Sequence, residues 1–203
     1  MERETEADSL PGSLPGSLPA TFSYSEALGA GLTRWRLYRL RDEGLIESLG
    51  RGLYRRHDAE AADIDLIELA SRAPLSTLCL TSALAHHGLT DEIPSRIDVA
   101  LPRGRHRPTT VAPVAWHVFD PSTFELGRSQ LPLDAETSIG IYGPERSIVD
   151  AFRLRHREGR DLAYTALRRW LGGHGAAPAN LLAMARHFPK AERPLREALE
   201  ILL

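Results

Sequence analysis

Between Leu32 and His57 the spacing of apolar residues changes period. Leu37 and Leu40 stand three apart and so share one face of a helix. At about 100° per residue, Trp35, Tyr38 and Arg39 point roughly the other way, flanked by Arg34 and Arg36. Thr33 is placed to cap this helix through its hydroxyl, and Gly44 to end it in the left-handed conformation. From Leu45 the pattern shortens to two strand-like runs, 45–49 and 53–56. Gly50-Arg51-Gly52 joins them and suits a tight hairpin with one arginine at its tip. Upstream, Phe22 to Gly31 reads as a shorter helix with Ser23 or Ser25 as its cap. Tyr24, Ala27 and Leu28 are spaced to pack on Leu37 and Leu40. Two helices followed by a two-stranded wing is the order of a winged helix-turn-helix domain, here residues 22–57.

Such domains usually carry one more helix in front. That place is held by Ser-Leu-Pro-Gly at 9–12 and again at 13–16, with a third copy begun at Ser17. A proline every fourth residue removes amide donors and stops a helix. Residues 1–21 are therefore expected to form a disordered tail, leaving part of the domain's apolar face to be covered by something else.

Beyond the wing, Asp58 is a possible N-cap for a helix to about Arg72, with Ala62, Leu66, Leu69 and Ala73 as its stripe. Thr81 or Ser82 caps a second, short helix closed by Gly88. Residues 97–101, 112–119 and 137–142 have strand composition, and the second of these alternates well. From Pro144 the period is helical, over 145–157, 161–171, 178–187 and a last segment to Leu203. The expected fold class is α+β: a winged helix-turn-helix, then a mixed α+β domain over 58–203 with a helical C-terminal tail.

Charge sharpens the picture. The whole chain carries −2, but Leu32–His57 holds seven arginines against three acids (Asp42, Glu43 and Glu47). Basicity focused on one element of a near-neutral protein is the footprint expected of nucleic-acid binding. Arg34, Trp35, Tyr38 and Arg39 are the candidates for reading a groove, with Thr33 fixing the helix start. Arg36, Arg41, Arg51, Arg55 and Arg56 are candidates for phosphates. The planar guanidinium fork suits both guanine edges and phosphate oxygens. Trp35 could equally pack against the wing, and Arg41 could pair with Asp42.

Arg103, Arg105 and Arg107 form a second basic cluster between two prolines. They read either as a solvated loop or as a contact to a partner or to nucleic acid. His86 and His87 diverge by about 100° on a helix and have no ligand-spaced carboxylate or cysteine nearby, so no metal site is expected. Asp150, four residues after Arg146, reads as an ordinary surface pair. The single cysteine, Cys79, lies in an apolar run and reads as a buried, inert thiol. No catalytic set, phosphate loop or nucleophile elbow is present, and neither enzyme activity nor a cofactor is expected. No apolar run is long enough to span a membrane, and a cytoplasmic protein is expected.

Gly31-Leu32-Thr33, Leu37-Tyr38-Arg39-Leu40, Gly44-Leu45-Ile46 and Gly50-Arg51-Gly52-Leu53-Tyr54 resemble the N-terminal domain of AbiEi-family antitoxins of type IV toxin–antitoxin systems. The blocks 81–90, 97–102 and 144–153 are similar to that family's second domain. The resemblance implies a transcriptional autorepressor that binds inverted repeats in double-stranded DNA at its own promoter, as a monomer or dimer. It also implies a protein that opposes a co-encoded nucleotidyltransferase toxin through its second domain. A winged-helix regulator that senses a small ligand, and a nucleic-acid-processing enzyme, are the competing readings.

Overall fold

The structure, a computed structural model, describes residues 14–203; the start of the chain, including its acidic residues, lies outside the described residues. It divides into two compact units. One holds the described chain up to Glu68 together with Leu133–Thr137, and the other holds 69–132 and 138–203. The sequence had suggested a boundary between His57 and Asp58.

The first unit opens with β1 (Thr21–Ser23), which leads directly into α1 (Tyr24–Gly29). Ser23 closes a capping box. Its hydroxyl accepts from the Glu26 amide at 3.2 Å, and the Glu26 carboxylate accepts from the Ser23 amide at 2.7 Å. Gly31, at φ 85°, turns the chain in the left-handed region, and α2 (Arg34–Asp42) follows. The wing is β2 (Ile46–Gly50) and β3 (Leu53–Arg56). The three strands form an antiparallel sheet in the order β1-β3-β2, so β3 is its centre.

Being central, β3 is covered on both faces. Tyr54 faces α1 and α2, in a cluster with Phe22, Ala27, Leu32, Leu37, Leu40 and Ile46. Leu53 faces the other way, with Leu49, Ile67 and Leu133. Each fully buried leucine of these clusters contributes roughly 1.5–3 kcal/mol.

In the place expected of a first helix, residues 14–20 run as irregular chain. Leu18 is buried and Leu14 packs beside it, in a turn where the Leu18 amide donates to the Pro15 carbonyl. The expected tail up to residue 21 therefore differs from the structure after Ser13. A leucine every fourth residue can be buried from a turn as well as from a helix, and Thr21 already belongs to β1. The Asp58 cap also differs. Helix α3 (Ile64–Arg72) starts later, with the Asp63 carboxylate accepting from the amides of Asp65 and Leu66. Asp58 instead pairs with Arg56 at 2.8 Å.

The second unit contains β4 (Thr77–Leu78), α4 (Leu80–His86), β5 (Ile97–Pro102), β6 (Val114–Phe119), α5 (Pro121–Phe124), β7 (Arg128–Pro132) and β8 (Ser138–Tyr142). Four longer helices follow: α6 (Pro144–Glu158), α7 (Arg160–Leu171), α8 (Pro178–Ala185) and α9 (Pro189–Leu202). The sheet is mixed, in the order β6-β5-β4-β8-β7. The sequence pattern missed β7, Arg-Ser-Gln-Leu-Pro, because an edge strand needs little apolar character. This is an α+β protein with an N-terminal winged helix-turn-helix and a C-terminal helical tail.

Seven consecutive residues of α6, Arg146 to Phe152, are buried, because the sheet, α4, α7, α8 and α9 surround this helix. That corrects the surface reading of Asp150. Its carboxylate is fully buried, 2.9 Å from Arg146 Nε and 2.9 Å from Arg153 Nη2. Burial pushes the Asp150 carboxyl above the usual range, against the pull of the two guanidinium groups. Arg146 also donates to the carbonyls of Thr123 and Leu126 and lies 4.1 Å from the Tyr142 ring centre. This cluster holds the fold of the unit together. Cys79 is buried, and burial pushes its thiol well above the ordinary value, as suits an inert thiol.

Candidate nucleic-acid interface

Helix α2 is held from below and free above. Thr33 caps it, its hydroxyl accepting from the Arg36 amide at 3.2 Å. Leu37 and Leu40 are buried beneath it, and Trp35 stands 69% exposed on the outer side. The outer face is ordered by arginine–aromatic stacking. The Arg34 and Arg41 guanidinium groups lie 5.4 and 5.2 Å from the Tyr38 ring centre, and Arg39 lies 5.4 Å from that of Trp35. Arg39 pairs with Glu43 at 2.7 Å and Arg41 with Asp42 at 2.8 Å. Both are exposed pairs of small net worth, which a phosphate or base edge can displace. Trp35 thus carries an arginine instead of packing on the wing.

Arg51 stands exposed at the wing tip between Gly50 and Gly52, both at positive φ (142° and 70°). Arg36 is half-buried on α2. The exposed basic face therefore consists of Arg34, Arg39 and Arg41 on the helix and Arg51 on the wing.

Arg55 departs from its expected role. It is buried in the sheet centre, where Nη1 donates to Asp134 Oδ2 and to Thr21 Oγ1, both at 2.8 Å, and Nη2 donates to the Glu60 carbonyl at 2.7 Å. With those donors engaged inside the unit, it is unavailable to phosphate. The physical cause is the central place of β3, which turns Leu53 and Arg55 toward the segment Leu133–Thr137. Arg56 is half-buried and held by Asp58, with Nη1 donating to the Leu18 carbonyl at 3.4 Å.

Asp134 is the partner of Arg55 that sequence reasoning missed. Burial raises its pKa. The Arg55 hydrogen bond and the amides of Glu136 and Thr137 outweigh that, so its carboxyl sits below the ordinary range. Nearby, Glu136 accepts from the Ala20 amide at 2.8 Å. Leu-Asp-Ala-Glu-Thr reads as a plain turn, and nothing local marks it as a partner for residues some eighty positions away.

Arg103, Arg105 and Arg107 in the second unit do not converge. Arg103 lies 3.7 Å from Asp120, Arg105 borders a hollow beside Arg72 and Leu101, and Arg107 borders a cavity with Trp116 and His117. In that cavity, of about 770 Å³, Arg96, Arg107 and Arg157 are matched by Glu92, Asp98 and Glu158. Its His117 is buried and 2.9 Å from Asp98. His87 Nε2 is 2.8 Å from the Tyr142 carbonyl, and no group of metal-ligating side chains occurs among the described residues. No helix among them is long and apolar enough to cross a membrane.

The first unit is a winged helix-turn-helix whose second helix presents a basic, aromatic face. Residues 19–57, from just before β1 to just past the wing, match the family described as "Transcriptional regulator, AbiEi antitoxin". The resemblance drawn from the motifs of this segment is thereby supported over that span. Among solved structures, the chain is similar to the RV2827C protein from Mycobacterium tuberculosis. The TM-score is 0.53 at 19% identity, over 91% of this chain and 76% of that one. At that identity the likeness shows a shared fold. No curated protein matches the chain.

Proposed function

We propose that this protein is a sequence-specific, DNA-binding transcriptional autorepressor and the antitoxin of a type IV toxin–antitoxin system, opposing a nucleotidyltransferase toxin. One observation carries the DNA-binding part: the outer face of α2, where Arg34, Arg39 and Arg41 are stacked on Tyr38 and Trp35. It lies within the segment that matches a transcriptional-regulator family. Stacking holds the guanidinium groups near one orientation before DNA arrives and so lowers the ordering cost of binding. In this reading α2 lies in the major groove, Arg34 and Arg39 read base edges, and Arg36, Arg41 and Arg51 hold phosphates. The antitoxin part is supported by the family description, which matches residues 19–57, and in this reading opposition of the toxin belongs to the second unit.

Fluorescence anisotropy of the chain with its own upstream DNA, over a salt series, tests the interface. Three phosphate-contacting arginines, Arg36, Arg41 and Arg51, give a slope of log K against log salt of roughly −3 per protomer. A slope near zero overturns DNA binding by α2. Sequencing the neighbouring genes and co-expressing the chain with a nucleotidyltransferase encoded there tests the antitoxin role; the absence of such a gene, or continued growth arrest, overturns it.

A further inference from the structure

The second unit holds a cavity of about 590 Å³ walled by the last turns of α6, the start of α5 and the junction of α8 with α9. Its charge is one-sided. Arg153, Arg157 and Lys190 line it together with His156 and His187, against Asp120 alone among acids. That aspartate is already engaged. It accepts from the Ser122 amide at 3.0 Å and from the Ser122 hydroxyl at 2.8 Å, and Arg103 lies 3.7 Å away.

The cations are largely unspent. The side chains of Lys190, His156 and His187 make no hydrogen bond or ion pair among the described residues. Arg157, which also borders the matched cavity beside His117, has only a 4.0 Å approach to Glu158. Arg153 is held in place from behind by Asp150 and lies over the Phe119 ring at 4.4 Å, with its Nε buried and unpartnered.

Cations at the end of α6 would offset the negative end of that helix whether or not a ligand binds. Arg155 has that role, donating to the carbonyls of Phe152 and Lys190. The dipole does not account for Lys190 and His187, which come from a different part of the chain and meet the same cavity. The rest of the lining is Ser122 and Thr123 together with an apolar floor of Phe188, Leu154 and Pro189. Cations beside an apolar floor, in a volume within the usual range for small-molecule sites, suit a ligand with a phosphate at one end and an organic body at the other.

We propose that this cavity is a binding site for a small phosphate ester of the size of a mononucleotide, with Arg153, Arg157 and Lys190 holding the phosphate. The site is separate from the basic face of α2 and does not depend on the DNA-binding reading. The matched cavity beside His117 lacks this excess of positive charge.

Isothermal titration of the full chain with AMP, inorganic phosphate and adenosine tests it. AMP is expected to bind once per chain. Inorganic phosphate should compete for the same site more weakly, and adenosine should bind at least about tenfold more weakly than AMP, since one charge-assisted contact is worth about that factor. Lys190→Gln and Arg157→Gln replace exposed side chains and leave the core untouched. Each is expected to weaken AMP about tenfold, whereas Arg168→Gln, exposed on α7 and outside the cavity, should change nothing. No saturable binding of AMP, or equal binding by all three variants, overturns the site. If operator DNA displaces AMP and Lys190→Gln weakens operator binding as much as AMP binding, the cavity belongs to a DNA footprint and the proposal also fails.

Discussion

Arg51 and Arg55 lie four residues apart on one hairpin, yet one faces water and the other is locked between Asp134, Thr21 and the Glu60 carbonyl. Their substitutions should separate cleanly. Arg51→Ala removes a phosphate contact and should weaken operator and random duplex alike, with the salt slope reduced by about one. Arg55→Ala leaves Asp134 buried without its cation and should destabilise the first unit by about 3–5 kcal/mol, read as a shifted denaturant midpoint. An Arg55→Ala protein of unchanged stability would show that the buried pair contributes nothing. Arg34→Ala or Arg39→Ala should reduce discrimination between operator and random duplex by about 1–3 kcal/mol if the residue reads a base. Equal loss on both duplexes would reduce α2 to an electrostatic anchor. The pairing of Asp134 also sets a pH dependence. Its folded pKa is below the ordinary aspartate value of about 4, so its stabilisation is fully present above that pH and is lost as pH falls through the folded value. Acid should therefore weaken the first unit, and Asp134→Asn should flatten this part of the pH profile.

At the scale of elements, the segment Leu133–Thr137 supplies part of the packing of the winged domain. Leu133 packs on Leu49, Leu53 and Ile67, Asp134 holds Arg55, and Glu136 caps the Ala20 amide. The turn at Leu14 and Leu18 covers the opposite apolar face. The winged domain is thus completed by two short irregular pieces, one just ahead of it and one from far along the chain. Leu133 is partly buried, so Leu133→Ala is expected to cost about 1–2 kcal/mol, below the range for a fully buried leucine, and it should lower operator affinity by reducing the folded fraction, without changing the salt slope. A changed slope would place residue 133 near the DNA instead. Helix α2 itself was legible residue by residue: the Thr33 cap, the Leu37 and Leu40 stripe and the outward arginines follow from helical spacing alone. Arg55 was not. Period-two alternation places it opposite Tyr54, but only the sheet order decides whether that second face meets water.

For the whole molecule, the functional reading divides labour between the two units. Arg34→Ala combined with Arg39→Ala in the full chain should abolish repression of the operon and leave protection against the cognate toxin intact. A reporter assay paired with a growth assay measures both. Loss of protection as complete as the loss of repression would show that the two activities are not separable. Local pattern was enough to reveal the winged helix-turn-helix, the basic face of α2, the helical tail and the α+β class. Each depends on periodicity, caps and turn residues within a dozen positions. Only the tertiary structure decided the rest. It made β3 a central strand and so withdrew Arg55, and it surrounded α6 so that Asp150 became a buried anion between two arginines. It also brought the end of α6 to the start of α9, where Arg157 and Lys190 share a cavity. Each of these depends on contacts between residues far apart in sequence, and in those contacts burial turns an ordinary surface charge into a structural one.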